Sequence, residues 1–516
     1  MKKTTKFLIS LTSALLVASN ALALTGCGAS GGVSGINTGN VEVTAYNGEK
    51  VTISFYHSLG SALRDIVDDC VKSFNKIYPN ITVNHKSFGD YDGIRDQVTT
   101  ELATGRGPSL ATCYPDHVAL YNKSKAVLTL DDYIASTQTV TQGDGTTIEQ
   151  VGLTQAQIND YVPFYYEEGK MYGDGKMYTL PLMKSTELLY YDATYFNEHG
   201  LKVPTTWDEM EQVCQQILDI ENAQPGGKEK NPCIPLGYDS GANWFITMTE
   251  QLKSGYTTGE KGNYFVFNNK ENREFVEKFR EWYDKDYVTT KEIFGSYTSD
   301  LFKASRAADD KGQKKTRSFM CIGSSAGASY QTPTQVNGQD PFEVGVTMLP
   351  QVNPDEPKMI SQGPSICLFK KQNDQETAAA WLFAKFITTS LEYQARFSMQ
   401  NGYTCAIQSV LQDEDVYASE DFLANVMGAP KFENKELGIT TYGNIYLQAA
   451  CVKLTMEYKD YYYVSPAFVG SSEARTAMES LMTDAFELEL GKKTLAQFVQ
   501  DLFEDKYTTL KNKYDK

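Results

Sequence analysis

Residues 51–57, "VTISFYH", alternate apolar and polar positions and run up to Gly60, which reads as a strand with one face buried. Beyond the glycine the period lengthens. Leu63, Ile66, Val67, Cys70, Val71, Phe74 and Ile77 recur three or four residues apart, so a helix follows, and Tyr78-Pro79-Asn80 stops it. "ITVNHKSF" returns to alternation, residues 93–104 to helical spacing, and "SLATCYP" gives a third strand. Strand, helix, strand, helix, strand predicts a largely parallel α/β sheet. Ligands of such sheets sit beyond the carboxyl ends of the strands, which points to His57, Phe88 and residues 114–116.

The pattern then starts again. "MYTLPLMKSTELLYYD" holds two short β-like runs, and Thr206 with Glu209 three residues on forms a capping box ahead of a helix whose inner stripe is Trp207, Met210, Val213 and Ile217. Residues 272–283 read as another amphipathic helix, "TRSFMCIGSS" as a strand entering a small-residue turn, and residues 375–402 as one long helix ending at Asn401-Gly402. Helices dominate from Ser471 onward. No repeat of 20 to 50 residues is present, which removes solenoids and propellers. About 465 residues of folded chain suggest two or three domains at roughly 100–200 residues each.

The amino-terminal pattern is different. Lys2 and Lys3 precede an apolar run over residues 7–24, interrupted by Ser10, Thr12, Ser13, Ser19 and Asn20. It has the flanks of a secretory signal and falls short of the roughly 20 predominantly apolar residues of a membrane span. Its end, Leu24-Thr25-Gly26-Cys27, resembles the lipobox of bacterial lipoproteins, which implies a signal over residues 1–26, cleavage before Cys27 and acylation there; two acyl chains give a stable anchor. Residues 28–40 are mostly Gly, Ser, Asn and Thr and read as a flexible tether, so residues 27–50 are expected to be anchor and linker.

Charge and chemistry narrow the functions. A formal net charge of −17 argues against nucleic acid. The eight cysteines after Cys27 stand singly, without metal-ligand spacing, several of them on apolar faces where a thiol serves as a small hydrophobe. Gly26-x-Gly28-x-x-Gly31 fits a dinucleotide fingerprint by letter, but no strand precedes it. Gly323-Ser324-Ser325-Ala326-Gly327 fits the nucleophile elbow, yet the histidines, at 57, 85, 117 and 199, all precede the serine, whereas that fold needs one after it. Neither a metal nor a cofactor is nominated. The 33 tyrosines against four tryptophans matter more, because several aromatics, among them Tyr91, Tyr114, Trp244 and Tyr403, sit beside Gly, Asn or Asp, where rings and hydroxyls can grip a polyol.

"FYHSLG", "FNKIYPNITV", "ELATGRGPSL", "GKMYTLPLMKSTELLYYDATYFNEHGLKVPTTWDEM", "MLPQVNPDEPKMISQGPSICLFKK", "AAAWLFAKFITT" and "NGYTCAIQSV" together resemble the extracellular solute-binding proteins of ABC importers, in the sugar-binding family that includes maltose- and glycerol-3-phosphate-binding proteins. The resemblance implies an α/β fold of two lobes that close on a ligand, here residues 51–183 plus 358–402 and residues 187–353 plus 406–516, with crossings near 183–186, 354–358 and 401–406. By match to the glycerol-3-phosphate binders it nominates Tyr91, Asp116, Ser185, Trp244, Ser325, Gly363 and Tyr403 as ligand contacts. One departure is notable: where those proteins carry an arginine before Leu-Gly, this chain reads Pro466-Ala467-Phe468-Val469-Gly470. Without that bidentate grip the implied ligand is a neutral sugar, oligosaccharide or polyol derivative, with glycerol-3-phosphate or a glycerophosphodiester as the alternative. The implied protein is a monomer and no enzyme, held to the bacterial membrane outside the cytoplasm by its acyl anchor and delivering ligand to the transmembrane subunits of an ABC permease. A surface glycosidase and an adhesin are the rival readings.

Overall fold

The computed structural model describes residues 32–305, 315–412 and 430–515, so Cys27, the apolar leader and the start of the expected tether lie outside the described residues. Two five-stranded sheets, each covered by helices, form two lobes. The amino-terminal sheet runs Ile81–Ser87, Val51–His57, Leu110–Cys113, Ser365–Leu368, Thr179–Pro181, and the carboxyl-terminal sheet Val288–Thr290, Leu236–Tyr238, Met320–Ser324, Glu187–Asp192, Val344–Met348. The first three strands of each are parallel, as the pattern predicts. The fourth of each is antiparallel to both its neighbours, so the sheets are mixed rather than largely parallel. The reason lies in the connectivity. Ser365–Leu368 and Glu187–Asp192 enter their sheets from between the lobes and run away from the cleft, their first residues opposite the last residues of strands arriving there: Ser365 faces Cys113 and Glu187 faces Ser324.

The predicted helical stripes are buried. Phe74 of Ser61–Ile77 packs edge-on to Phe383 at 5.2 Å. The capping box at Thr206 opens Trp207–Ala223, burying Trp207, Met210, Val213 and Ile217. The single helix expected over residues 375–402 is two, Asp374–Thr389 and Leu391–Asn401, parted where Ser390 turns to ψ 114°. Both touch Ser61–Ile77, the second through Tyr393 to Ser73 and Arg396 to Asp69, but the first also lies on Val51–His57 and the second on Thr404–Cys405 and Leu447–Glu457.

The expected tether is shorter than composition suggested. Ile36 pairs with Lys371 and is buried, Ser34 donates its amide to Glu376, and Tyr46 is buried edge-on to Tyr78. Two apolar side chains in a polar stretch suffice to dock it, so residues 32–50 belong to the amino-terminal lobe. The eight cysteines after Cys27 are all buried.

Between the lobes, Met183–Lys184 pairs with Thr404–Cys405, and Ser185 exchanges both backbone hydrogen bonds with Gln362, at 3.0 and 2.9 Å. The crossing expected at 354–358 falls instead at 361–364, because Met359–Ile360 still pair with Tyr462–Tyr463 of the carboxyl-terminal lobe. The crossing expected at 401–406 is not complete there: Gln408 and Ser409 bond back to Tyr161 and Asp160 of the amino-terminal lobe. Lys184 is fully buried, its Nζ 2.8 Å from Glu168 Oε1 and 3.2 Å from Ser365 Oγ, while Ser361 Oγ donates to Glu168 Oε2 at 3.0 Å. The backbones here touch. Gly363 has φ +96°, and a Cβ on it would stand 2.6 Å from the carbonyl oxygen of Met183. Removing one member of a buried ion pair strands the other, so Lys184→Met is expected to lose about 3–5 kcal/mol in urea denaturation. The double variant Lys184→Met/Glu168→Leu should recover more than half of that loss; no recovery would show that the pair is not the source.

Candidate functional site

Strand Leu110–Cys113 delivers the chain to the cleft, where Pro115 opens a helix and Asp116 takes its second position, a place that favours an anion. From the other lobe, helix Ser471–Glu487 brings Arg475 one turn past its start. Arg475 Nε lies 3.6 Å from Asp116 Oδ2, so one charge from each lobe meets across the cleft. Behind Arg475 the polar contacts continue. Its Nη1 donates to Asn243 Oδ1, Asn243 Nδ2 donates to Glu187 Oε1 at 3.0 Å, and Tyr238 OH donates to Glu187 Oε2 at 2.6 Å. Asn243 is therefore oriented from both sides. Glu187 is buried, and burial pushes its carboxyl up to about 7 against the pull of its bonds from Tyr238 and Asn243.

Asp116, Asn243, Tyr256, Thr257, Gln362 and Arg475 are among the residues that line a small cavity of about 70 Å³ between the lobes. Asp116 Oδ2, Tyr256 OH and Thr257 Oγ1 are buried there without a hydrogen-bond partner among the described residues. Buried polar atoms are otherwise almost always paired, so this group is suited to the hydroxyls of a ligand.

The seven residues nominated from sequence fall into four places. Asp116 lines the cavity. Tyr91 stacks on Tyr114 at 4.1 Å, with Tyr403 nearby, making an aromatic wall in which burial raises all three phenols above their usual range. Ser185, Ser325 and Gly363 join the crossings: the amide of Ser325 donates to Thr186 O at 2.7 Å and its Oγ accepts from Thr186 N at 3.3 Å. Gly402 seals that corner, since at φ +73° a Cβ would reach within 2.3 Å of Ser325 O. Trp244 is elsewhere. It is fully buried in the carboxyl-terminal lobe, 4.1 Å from Phe279 and 4.9 Å from Tyr238, and it reaches the site only through its neighbour Asn243.

Sequence reasoning missed Asn243, Tyr256, Thr257 and above all Arg475. The arginine expected before Leu-Gly is indeed replaced by Phe468, yet a cleft arginine exists, supplied by the next helix. Arg475 is the only arginine after Arg396, and that scarcity was the available signal.

Sequence comparison places this geometry in a family. The match to bacterial extracellular solute-binding proteins runs over residues 69–424, more than half of the chain. The chain belongs to that family. The solute-binding protein is 23% identical to the multiple sugar-binding protein of Streptococcus mutans over 382 residues, covering 71% of this chain and 78% of that one. Its fold matches the GacH receptor of Streptomyces glaucescens, solved unliganded and with acarbose, with a TM-score of 0.61 at 14% identity over 90% of this chain and 99% of that one. It also matches UgpB from Mycobacterium tuberculosis in complex with glycerophosphocholine, with a TM-score of 0.63 at 15% identity and the same coverage of 90% and 99%. No helix among the described residues is long and apolar enough to cross a membrane.

Glu187 gives the solute-binding protein a specific pH response. Its folded carboxyl is pushed up to about 7 while the unfolded one keeps its ordinary value of 4.5, so between these the folded state binds the extra proton. Its contribution is complete below pH 4.5 and is lost as pH rises to 7. Denaturation across that window should show the wild type losing on the order of 3 kcal/mol relative to Glu187→Gln. Parallel pH profiles for the two proteins would contradict this assignment.

Proposed function

We propose that this solute-binding protein captures a neutral carbohydrate between its lobes and hands it to the permease of an ABC importer, without transforming it. The meeting of Asp116 and Arg475 across the cleft carries the reading. A carboxylate and a guanidinium from opposite lobes can accept from and donate to neighbouring hydroxyls of one sugar, and a ligand that touches both lobes favours the closed state. Tyr256 and Thr257 add two further hydroxyl partners, and Tyr114, with Tyr91 stacked against it, supplies an aromatic ring at the cavity of the kind that packs against sugar C–H groups. The sugar named for the Streptococcus relative and the acarbose bound by the Streptomyces receptor support this class.

Because Asp116 already offsets the charge of Arg475, the site favours a neutral ligand over a phosphate. The second reading, a glycerophosphodiester, draws support from Arg475 itself and from the glycerophosphocholine complex of the Mycobacterium protein. Acylation of Cys27 would hold the protein at the outer face of the membrane, where tethering raises its concentration near the permease.

Thermal unfolding against sugars, polyols and glycerophosphodiesters tests the reading. A binder at a hundred times its dissociation constant should stabilise by about 2.7 kcal/mol. That stabilisation should vanish in Asp116→Ala and in Arg475→Ala. Stabilisation by phosphodiesters alone would select the second reading, and sugar binding indifferent to both substitutions would displace the site.

A further inference from the structure

Glu187 opens the strand Glu187–Asp192 and is buried, with a partner on each carboxylate oxygen. Oε2 accepts from Tyr238 OH at 2.6 Å and Oε1 from Asn243 Nδ2 at 3.0 Å. Asn243 in turn accepts on Oδ1 from Arg475 Nη1. Arg475 fixes the order of donors along this relay. A guanidinium has donors only, so the Asn243 amide must offer it oxygen, and the amide nitrogen is left to face Glu187. That nitrogen needs an acceptor, which an ionised carboxylate supplies. The other titratable groups that face Glu187 do not compete for it. Asp239 Oδ1 accepts from the amide and hydroxyl of Thr298, burial holds the Cys321 thiol neutral, and Tyr463 OH donates to Thr247 Oγ1 at 2.8 Å.

A proton on Glu187 breaks that order. Tyr238 does not take it up, because Thr247 Oγ1, the other hydroxyl beside Tyr238, already accepts from Tyr463 OH, so the Tyr238 proton keeps its place on Oε2. The acid O–H is left with Asn243 and is satisfied only if the amide turns over to present Oδ1. Nδ2 then points at Arg475, donor against donor. The guanidinium loses its hold behind the cavity, while Asp116, with Oδ2 3.6 Å from Nε, remains in front. We infer that Glu187 is a positioning residue for the site: ionised, it holds Arg475 through Asn243 in the ligand-binding orientation, and protonated, it turns the Asn243 amide and releases Arg475 toward Asp116, so that the cleft binds its ligand more weakly. The change falls near neutrality, since burial raises the Glu187 carboxyl to about 7 against its bonds from Tyr238 and Asn243. Linkage is reciprocal, so ligand favours the ionised form and its binding expels a proton from Glu187. The inference rests on the reading that Arg475 holds the ligand, and adds a pH-dependent affinity to it.

Two measurements on the purified protein test the inference separately from that reading. The first needs no ligand. With arginine labelled by nitrogen-15, the Arg475 side-chain resonance, assigned by its loss in Arg475→Lys, is followed by NMR from pH 5 to pH 9. It should shift with one midpoint at about 7. Glu187→Gln, which cannot ionise, should abolish the shift, and Asp239→Asn should leave it in place. Tyr238→Phe, which removes a bond to the ionised form, should move the midpoint upward. The second measurement is calorimetric titration with maltose, acarbose and glycerophosphocholine at pH 6 and pH 8, in buffers of differing ionisation enthalpy. The expected result is a probe bound about fivefold or more tightly at pH 8, with proton release near neutrality, and both effects lost in Glu187→Gln. An Arg475 resonance that does not titrate, or that titrates equally in Glu187→Gln, overturns the inference, as does a bound probe whose affinity is the same at the two pH values. A titrating resonance with pH-dependent binding of glycerophosphocholine alone supports the inference and overturns the carbohydrate reading.

Discussion

The chain must pass between its lobes through a layer only a few residues thick, and that constraint organises the molecule. Lys184, on one crossing segment, and Glu168 are buried there as an ion pair braced by Ser361 and Ser365 of another. A pair taken so completely from water is sustained only by full hydrogen bonding, which ties the segments to one geometry. The close backbone approach at Gly363 and Gly402 follows from the same crowding, as does the direction of the strand that leaves the crossings into each sheet. Because those strands run outward, their neighbours run inward and deliver their ends, and the loops and helix starts after them, to the cleft.

What the cleft holds is a consequence of that delivery. Asp116 follows one inward strand, Asn243 follows another by five residues, and Glu187 begins the outward strand of that second sheet. Arg475 comes from a helix that follows no strand of either five-stranded sheet. Its side chain is oriented through Asn243 by Glu187, which stands behind the lining of the polar cavity. Tyr114, with Tyr91 stacked against it, stands at this polar centre, giving a cleft whose charged edge adjoins an aromatic ring.

Local pattern made the lobes legible. The alternation of residues 51–57, the helical spacing that follows and the capping box at Thr206 each describe interactions within a few residues, and each survives in the fold. Strand direction was not legible, since it depends on where the chain re-enters a sheet after a crossing. The break at Ser390 arises because two halves of one apolar run find different neighbours. Composition misjudged residues 32–50, where Ile36 and Tyr46 outweigh the polar average around them. In the site, Asp116 was readable because it follows a strand at short range. Arg475 was not, because it comes 359 positions later in the chain and the motif that would carry an arginine has Phe468 instead. Trp244 shows the opposite error: its loop-like neighbours suggested exposure, but it begins a helix whose face is the core of the lobe.

The proposed function turns on one contact, a ligand held between a carboxylate of one lobe and a guanidinium of the other. A crystal structure of the protein with the tightest-binding sugar tests it most directly. The account predicts hydroxyls of the sugar within hydrogen-bonding distance of both Asp116 and Arg475, with Tyr256 and Thr257 completing the contacts. A sugar bound at a surface of one lobe, with Asp116 and Arg475 left to each other, would contradict it.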